Sequence, residues 1–295
     1  MADQPLVYII VLNYNGCRDT LECLESLERV SYVSFRVVVV DNCSTDESDL
    51  EIRAKYPGHK FIQTGKNLGY AGGNNLGIRL ALENKADYVC LLNNDTTVTP
   101  DFLEPLVNWM EQDKTTGIAG PKVCDYYKQD IIQATGSKAN LFLGKFYQLN
   151  RGKKKDGVQG VLEVDYVAGA CLLIRSELIS KIGLVSEEYF LFFEETEWCL
   201  KAKRAGQKVV CVCESVIFHK GSKSTEKVSG IQEYYMTRNQ IIFEKRNAGR
   251  GQLAAFYLHR MCRMALSLAK GIFTGRFNRD MLKGFRDGMR YRRDG

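Results

Sequence analysis

The stretch Phe35-Arg36-Val37-Val38-Val39-Val40-Asp41-Asn42-Cys43-Ser44-Thr45-Asp46 decides the fold class. Four consecutive valines leave no polar face, so this strand must be covered on both sides, as in a parallel sheet between helical layers. It then breaks into an aspartate and a run of turn-forming residues. Outward from it the same alternation repeats. Residues 7–12, 60–64 and 87–92 are short apolar runs rich in β-branched side chains, whereas 19–29, 46–55 and 71–84 have helical spacing. Strands alternating with helices of this length imply βαβ units joined by right-handed crossovers. The expected class is α/β, a Rossmann-like, mostly parallel sheet with helices on both faces.

Beyond Pro100 a helix is expected over 101–112, then a less regular region with a turn at 151–157. Strands return at 163–168 and 171–175, and a helix begins near Thr196 and stops at Gly206, a glycine C-cap. Residues 208–214 and 215–218 are β-like, and from Ile231 onward the chain is expected to be helical. At 295 residues, 45% hydrophobic and 26% charged, the composition is that of a soluble globular chain with one large domain and an appendage. The ten cysteines form no CxxC pair, and Met1-Ala2-Asp3-Gln4-Pro5 lacks the basic start of an export signal, so reduced thiols and a cytoplasmic setting are expected. Residues 246–295 hold twelve Lys/Arg against three Asp/Glu, a charge of +9, while the remainder is slightly acidic.

In an open α/β sheet, ligands bind beyond the carboxyl ends of the strands. Those ends are Asn13-Tyr14-Asn15-Gly16, Asp41-Asn42-Cys43-Ser44, Asn67-Leu68-Gly69-Tyr70-Ala71-Gly72-Gly73-Asn74-Asn75 and Asn93-Asn94-Asp95. All four are polar. The glycines follow the third strand and miss the dinucleotide spacing, and no phosphate loop of the G-x-x-x-x-G-K-[ST] type occurs. A nicotinamide dehydrogenase and a P-loop kinase are therefore disfavoured. Asp41 suits either a nucleobase or ribose contact or a helix cap. Asp95 is either a hard oxygen ligand for Mg²⁺ or Mn²⁺ or a turn aspartate. Glu194, Glu195 and Glu197 crowd one helix start, where the dipole lowers a carboxyl pKa and mutual repulsion raises it, the setting of a tunable general base or of plain N-terminal caps. His219, followed by Lys220-Gly221-Ser222-Lys223-Ser224, is either structural or part of a diphosphate site.

Taken in order, Val11-Leu12-Asn13-Tyr14-Asn15-Gly16, Val39-Val40-Asp41-Asn42-Cys43-Ser44-Thr45-Asp46, residues 67–78, Leu91-Leu92-Asn93-Asn94-Asp95-Thr96, Gly169-Ala170-Cys171-Leu172-Leu173-Ile174-Arg175, Phe193-Glu194-Glu195-Thr196-Glu197-Trp198 and His219 resemble glycosyltransferase family 2, inverting enzymes of the GT-A fold. The nearest subgroup is rhamnosyltransferase-like, acting in polysaccharide assembly. The resemblance implies a catalytic domain over 1–230, its nucleotide half about 1–120 and its acceptor half about 121–230, with a basic helical region over 231–295. It implies that Asn13, Tyr14, Asp41, Asn74, Asn75 and Asn94 serve the nucleotide, and that Gly169, Ala170 and Glu197 lie on the sugar and acceptor side. Asp95 and His219 would hold a divalent cation, Mg²⁺ or Mn²⁺. Glu195 matches the general base, with Glu194 the alternative. Asn93 stands where the family's first metal aspartate would be, so the substrate diphosphate must supply more of the ion's ligands. The implied donor is dTDP-rhamnose or a UDP-sugar, and the acceptor a glycan or lipid-linked hydroxyl.

In the tail, His259, Arg260, Arg263, Ser267 and Lys270 fall on one helical arc with apolar residues elsewhere. This pattern suits peripheral contact with the inner face of an anionic membrane, packing on the catalytic domain, or a homodimer. No nucleic-acid module is recognisable. A sugar nucleotidyltransferase would need a glycine-rich basic loop after the first strand, which is absent, and a non-catalytic carbohydrate-binding protein would not need the carboxylates at 95, 194 and 195.

Overall fold

The computed structural model describes residues 4–221, 230–274 and 278–292. Four strands, β1 (Val7–Asn13), β2 (Phe35–Asp41), β3 (Lys60–Gln63) and β4 (Tyr88–Asn93), alternate with helices α1 (Cys17–Leu27), α2 (Ser48–Lys55) and α3 (Gly69–Glu83). After β5 (Thr96–Val98) and α4 (Leu103–Gln112) come β6 (Thr116–Asp125), β7 (Ile132–Ala134), the hairpin β8 (Ser137–Asn140) and β9 (Lys145–Gln148), and β10 (Val161–Glu163). They are followed by β11 (Cys171–Arg175), α5 (Ser176–Ile182), α6 (Glu194–Arg204) and β12 (Lys208–His219), then α7 (Ile231–Asn247), α8 (Arg250–Thr274) and α9 (Arg279–Arg290).

The main sheet runs β10-β12-β6-β11-β4-β1-β2-β3, with β5 on β12 and β7 on β6. Strands β3, β2, β1 and β4 are mutually parallel, and β11 is the antiparallel insert between β4 and β6. The valine run behaves as its pattern demands. Val37 and Val39 face one apolar layer with Leu24, Leu27, Leu103 and Leu106, while Val38 and Val40 face another with Ala71, Ile78 and Trp198. All four are at most 4% exposed, and burial of each contributes on the order of 2 kcal/mol.

Three expectations change. Residues 116–125 form a ten-residue strand where irregular chain was expected, because Gly117, Gly120 and Pro121 mask its pattern. Gly120 is small for a tertiary reason, since a Cβ there would lie 2.7 Å from the Val167 side chain. The two β-like pieces at 208–214 and 215–218 are one strand, carried through a register shift against β6 between Val212 and Val216. The strand expected at 163–168 lies instead at Val161–Glu163, sharing only Glu163 with that range, and Tyr166 has an isolated bridge to Ser137.

By contacts the chain divides into two compact units. The first is Met1–Lys138, Gln148–Phe190 and Glu194–Gly221, and the second is Ala139–Tyr147, Leu191–Phe193 and Ser222–Gly295. Within the second unit α9 lies close against α7 through Gly284 and Gly288, where a Cβ would meet the Tyr234 carbonyl at 2.4 Å and that of Arg238 at 2.9 Å. The tail is helical as expected, in three helices among the described residues. Arg260, on the polar arc of the sequence pattern, is partly buried and donates to Gln240 Oε1 at 3.0 Å, while Leu258, Met261 and Leu266 are exposed. The Ser267 and Lys270 side chains, and Ser222, Lys223 and Ser224, lie outside what is described. Among the described residues no helix is long and apolar enough to cross a membrane.

Candidate active site

At the carboxyl edge of the parallel strands, Asn13 and Asp41 are register partners. The buried Asp41 carboxylate accepts four hydrogen bonds. Oδ1 takes Asn13 Nδ2 at 2.7 Å and Ser44 Oγ at 2.5 Å, and Oδ2 takes the Ser44 N–H at 3.0 Å and Gln63 Nε2 at 2.8 Å. Asn13 in turn accepts from Thr20 Oγ1 at 2.8 Å, and Asn94 donates to that hydroxyl at 2.9 Å. Asn13, Asp41 and Asn94 thus form one cradle, with Tyr14 46% exposed at its mouth. A ligand donor reaches Asp41 by replacing one of the four, and of the three side-chain donors Gln63 is the exposed one.

Asp95 occupies the turn from β4 to β5. Because Thr96 pairs with His219 on β12, the turn brings Asp95 Oδ1 within 3.3 Å of His219 Nε2. On the ring's other side Nδ1 lies 3.0 Å from Gln133 Oε1. The Gln133 amide nitrogen donates to the His219 carbonyl at 2.8 Å, so its oxygen is the atom facing Nδ1, and Nδ1 must carry the proton. With its proton on Nδ1, the ring can offer its Nε2 lone pair on the Asp95 side. Two lone-pair donors converging on one point suit a cation. Among the described residues no group of three or more His, Cys, Asp or Glu is arranged to hold a metal, so a divalent ion here would complete its shell with substrate oxygens, the habit of Mg²⁺ and Mn²⁺. Asp95 and His219 fit such an ion. Lys220 is committed elsewhere, its ammonium 2.6 Å from both Asp19 and Glu22.

Glu194 and Glu195 open α6, and the chain enters that helix through unusual backbone. Phe190, Phe192 and Phe193 have φ of 65°, 70° and 76°, a left-handed region that bulky side chains rarely occupy and that costs about 1–3 kcal/mol each. Partners hold them there. The Phe190 carbonyl accepts the Tyr70 N–H at 2.7 Å, over Gly69, which has φ of +71° and where a Cβ would sit 2.4 Å from that oxygen. The Phe193 ring packs against Phe146 and Phe243, with centroids 5.0 and 5.5 Å away. Burial raises the Glu195 carboxyl above its ordinary 4.5, partly countered by N–H groups of the helix start and the Thr196 hydroxyl. Glu195 Oε1 lies 3.2 Å from where a Gly169 Cβ would be, and Tyr70 Oη donates to the Gly169 carbonyl at 3.4 Å. Burial first, then Glu194 and Glu195, keep the Tyr70 phenol protonated.

Other expected residues lie one layer back. Asn74 donates to the Tyr70 carbonyl at 2.9 Å. Asn75 spends its amide on residues 185–187, donating to the Val185 carbonyl and Glu187 Oε1 and accepting from the Val185 N–H. The Ala170 carbonyl accepts the Asn93 N–H at 2.9 Å. Glu197 is buried, accepting from Tyr189 Oη at 2.9 Å with Lys201 at 3.6 Å. Sequence reasoning missed Gln133, Tyr70 and Asn239, the last donating to the Leu191 and Phe192 carbonyls at 2.6 and 3.1 Å. Only contacts across the fold reveal them.

Known proteins are similar to this chain. The family model described as glycosyl transferase family 2 matches residues 8–183, more than half of the chain. The chain is 27% identical over 238 residues to the low-salt glycan biosynthesis hexosyltransferase Agl10 of Haloferax volcanii, covering 79% of this chain and 74% of that protein. It is 26% identical over 249 residues to the dTDP-rhamnosyl transferase RfbF of Shigella flexneri, covering 82% and 80%. Its fold is similar to a mannosyltransferase from Pyrobaculum calidifontis solved with GDP-Man and Mn²⁺, with a TM-score of 0.60 at 14% identity, covering 98% of this chain and 87% of that one. That likeness shows a shared GT-A fold.

Proposed function

This chain belongs to glycosyl transferase family 2 and is a glycosyltransferase, and we propose that it moves a sugar, with inversion, from a nucleotide-sugar to a hydroxyl of a glycan or lipid-linked acceptor in polysaccharide assembly. The observation that carries this reading is Glu195, half-buried at the start of α6 beside Gly169, with its carboxyl raised toward the range of a general base. Asn13, Tyr14, Asp41 and Asn94 receive the nucleoside, with Gln63 yielding its place on Asp41. Asn74 and Asn75 serve the nucleotide by holding the start of α3 and residues 185–187, and Gly169 and Ala170 border the sugar. Glu197 supports the acceptor side through Tyr189.

Glu195 takes the proton from the acceptor hydroxyl, and the freed oxygen attacks the anomeric carbon from the face opposite the diphosphate, so one displacement inverts configuration. Glu194 is the alternative base. A divalent cation held by Asp95, His219 and the donor's oxygens would offset the charge developing on the leaving diphosphate. The imidazole ligand favours Mn²⁺ over Mg²⁺. The Shigella relative supports dTDP-rhamnose as donor, with UDP-sugars second. A thermal-shift screen of dTDP-, UDP- and GDP-sugars with Mn²⁺ or Mg²⁺ tests the reading. A rise with one nucleotide, larger with metal, is expected, and no rise with any of them would sink it.

The C-terminal helices add a membrane contact to this proposal. Leu258, Met261 and Leu266 present exposed apolar side chains along α8, and exposed Arg279, Lys283, Arg286 and Arg290 recur at helical spacing along α9. An apolar face with nearby cations is the composition of a helix lying on an anionic bilayer. The protein is expected to sediment with phosphatidylglycerol vesicles but not with phosphatidylcholine, and Leu258→Glu/Met261→Glu to abolish this. A dimer in solution that the same double variant dissociates, without vesicle binding, would assign the face to a second copy instead.

A further inference from the structure

We infer that Asn239 is a positioning residue for the general base, acting through the backbone that enters α6; the inference rests on the base reading above. Asn239 sits in the interior of α7, where asparagine is a weak helix former, and its side chain is fully buried. Its amide oxygen accepts from Arg238 Nη1 at 2.7 Å, while its amide nitrogen reaches away from the helix. It donates to two consecutive carbonyls, Leu191 and Phe192, on the segment whose next residues are Phe193 and Glu194. Phe192 and Phe193 are both left-handed, and neither side chain supplies any local preference for that conformation. Two hydrogen bonds from one rigid amide fix the orientation of both carbonyls, and so the backbone of this segment.

The consequence follows along the chain. Phe193 is joined to Glu194 by one peptide bond, so the entry backbone sets where the first turn of α6 begins. Glu195 lies in that first turn, and the position of its carboxylate depends on a helix start that is not frayed. Chemistry with a misplaced base fails steeply, while nucleotide binding at the ends of β1 and β2 does not use this segment.

Asn239→Ala is the test, read three ways. Turnover with the donor found by thermal shift is expected to fall by about tenfold to a hundredfold, with the donor's Kd within about twofold of wild type. Hydrogen exchange in a peptide covering residues 190–199 is expected to accelerate by about tenfold or more, with peptides from β1 to β4 unchanged. Phe192→Val should reproduce that signature, because a β-branched residue resists a left-handed backbone, and it serves if Asn239→Ala does not fold. Adding Phe192→Gly to Asn239→Ala should restore part of the turnover, since glycine accepts this conformation without support. Unchanged turnover and exchange, or loss of turnover together with donor affinity and exchange protection throughout, would overturn the inference. If the wild type binds no nucleotide-sugar, the enzymatic reading fails, yet the exchange comparison still decides whether Asn239 holds the segment.

Discussion

The cradle around Asp41 and the approach to Glu195 both belong to the candidate active site but are built on opposite principles. Around Asp41 every carboxylate oxygen has two donors, supplied by β1, the turn after β2, and β3. The register of the parallel strands delivers those partners, and the result resembles a core that happens to be polar. Around Glu195 the backbone is left-handed at three phenylalanines and a carboxyl is held against its ordinary pKa. Strain and a displaced pKa mark places where stability is given up for chemistry. On the proposed function, the first region is the one that recognises and the second the one that reacts. Mutations should divide along the same line, between effects on folding and effects on rate.

The largest effect is expected from Glu195→Gln, which should lower turnover by about 10²- to 10⁴-fold while leaving donor affinity nearly intact. Wild-type turnover should rise with pH as the base ionises, through a value above the ordinary 4.5. The same shift has a stability consequence. A carboxyl whose pKa is raised on folding contributes stability below its unfolded value and loses it as pH rises through the folded one. Glu195→Gln should thus be more stable than wild type at neutral pH, with the advantage vanishing below about pH 4.5. Activity surviving in Glu195→Gln and lost in Glu194→Gln would move the base by one residue.

Asp41→Ala should do the reverse. It strands the Asn13 and Ser44 donors, whereas exposed Gln63 can turn to water, and each unsatisfied buried group costs about 1–3 kcal/mol, so a loss of about 2 kcal/mol or more in urea unfolding is expected. Unchanged stability with weakened nucleotide binding would mean that Asp41 is a ligand contact first and a framework residue second, and the contrast between the two regions would collapse.

The two regions also differed in how far they could be read from residues alone. The parallel strands announce themselves because Val37 to Val40 cannot face water, and polar strand ends mark the cradle by position. Asp95, Glu195 and His219 follow the same logic, as polar residues where an apolar run stops. Gln133 follows none of it. It reaches His219 only because β7 pairs with β6 and β6 with β12, and β6 itself was hidden by two glycines, one making room for Val167 and the other for Leu178 and Gln207. Asn239 lies 44 positions after Glu195 and acts on carbonyls, which have no sequence signature. Left-handed phenylalanines are likewise illegible, since nothing in a phenylalanine asks for positive φ. Local pattern reveals strands and their ends; it does not reveal which distant side chain holds them.

Gln133→Leu extends the comparison to the Asp95–His219 pair, which like the cradle is held by partners from other strands. It keeps the volume but removes the acceptor that fixes the Nδ1 proton of His219. Loss of such an outer partner typically costs 10- to 100-fold in metal affinity, so Mn²⁺ binding in the presence of saturating nucleotide should weaken by roughly that factor. Calorimetry showing an unchanged Mn²⁺ affinity would mean that His219 needs no orientation, or does not hold the ion.

The smallest effect is expected at Gly169, and it probes the reacting region at its edge. A methyl group there would stand 3.2 Å from Glu195 Oε1, tighter than ordinary contact, so one of the two must yield by a few tenths of an ångström. The end of a glutamate is flexible and can yield without unfolding anything. Stability of Gly169→Ala should therefore match wild type, while turnover falls several-fold, since a 1 Å misplacement can cost about 10²-fold and this displacement is a fraction of that. The two measurements must separate for the contrast to hold. If Gly169→Ala instead lowers stability and leaves turnover alone, the base reaches its acceptor from elsewhere, and the narrow approach of Glu195 to Gly169 is only packing.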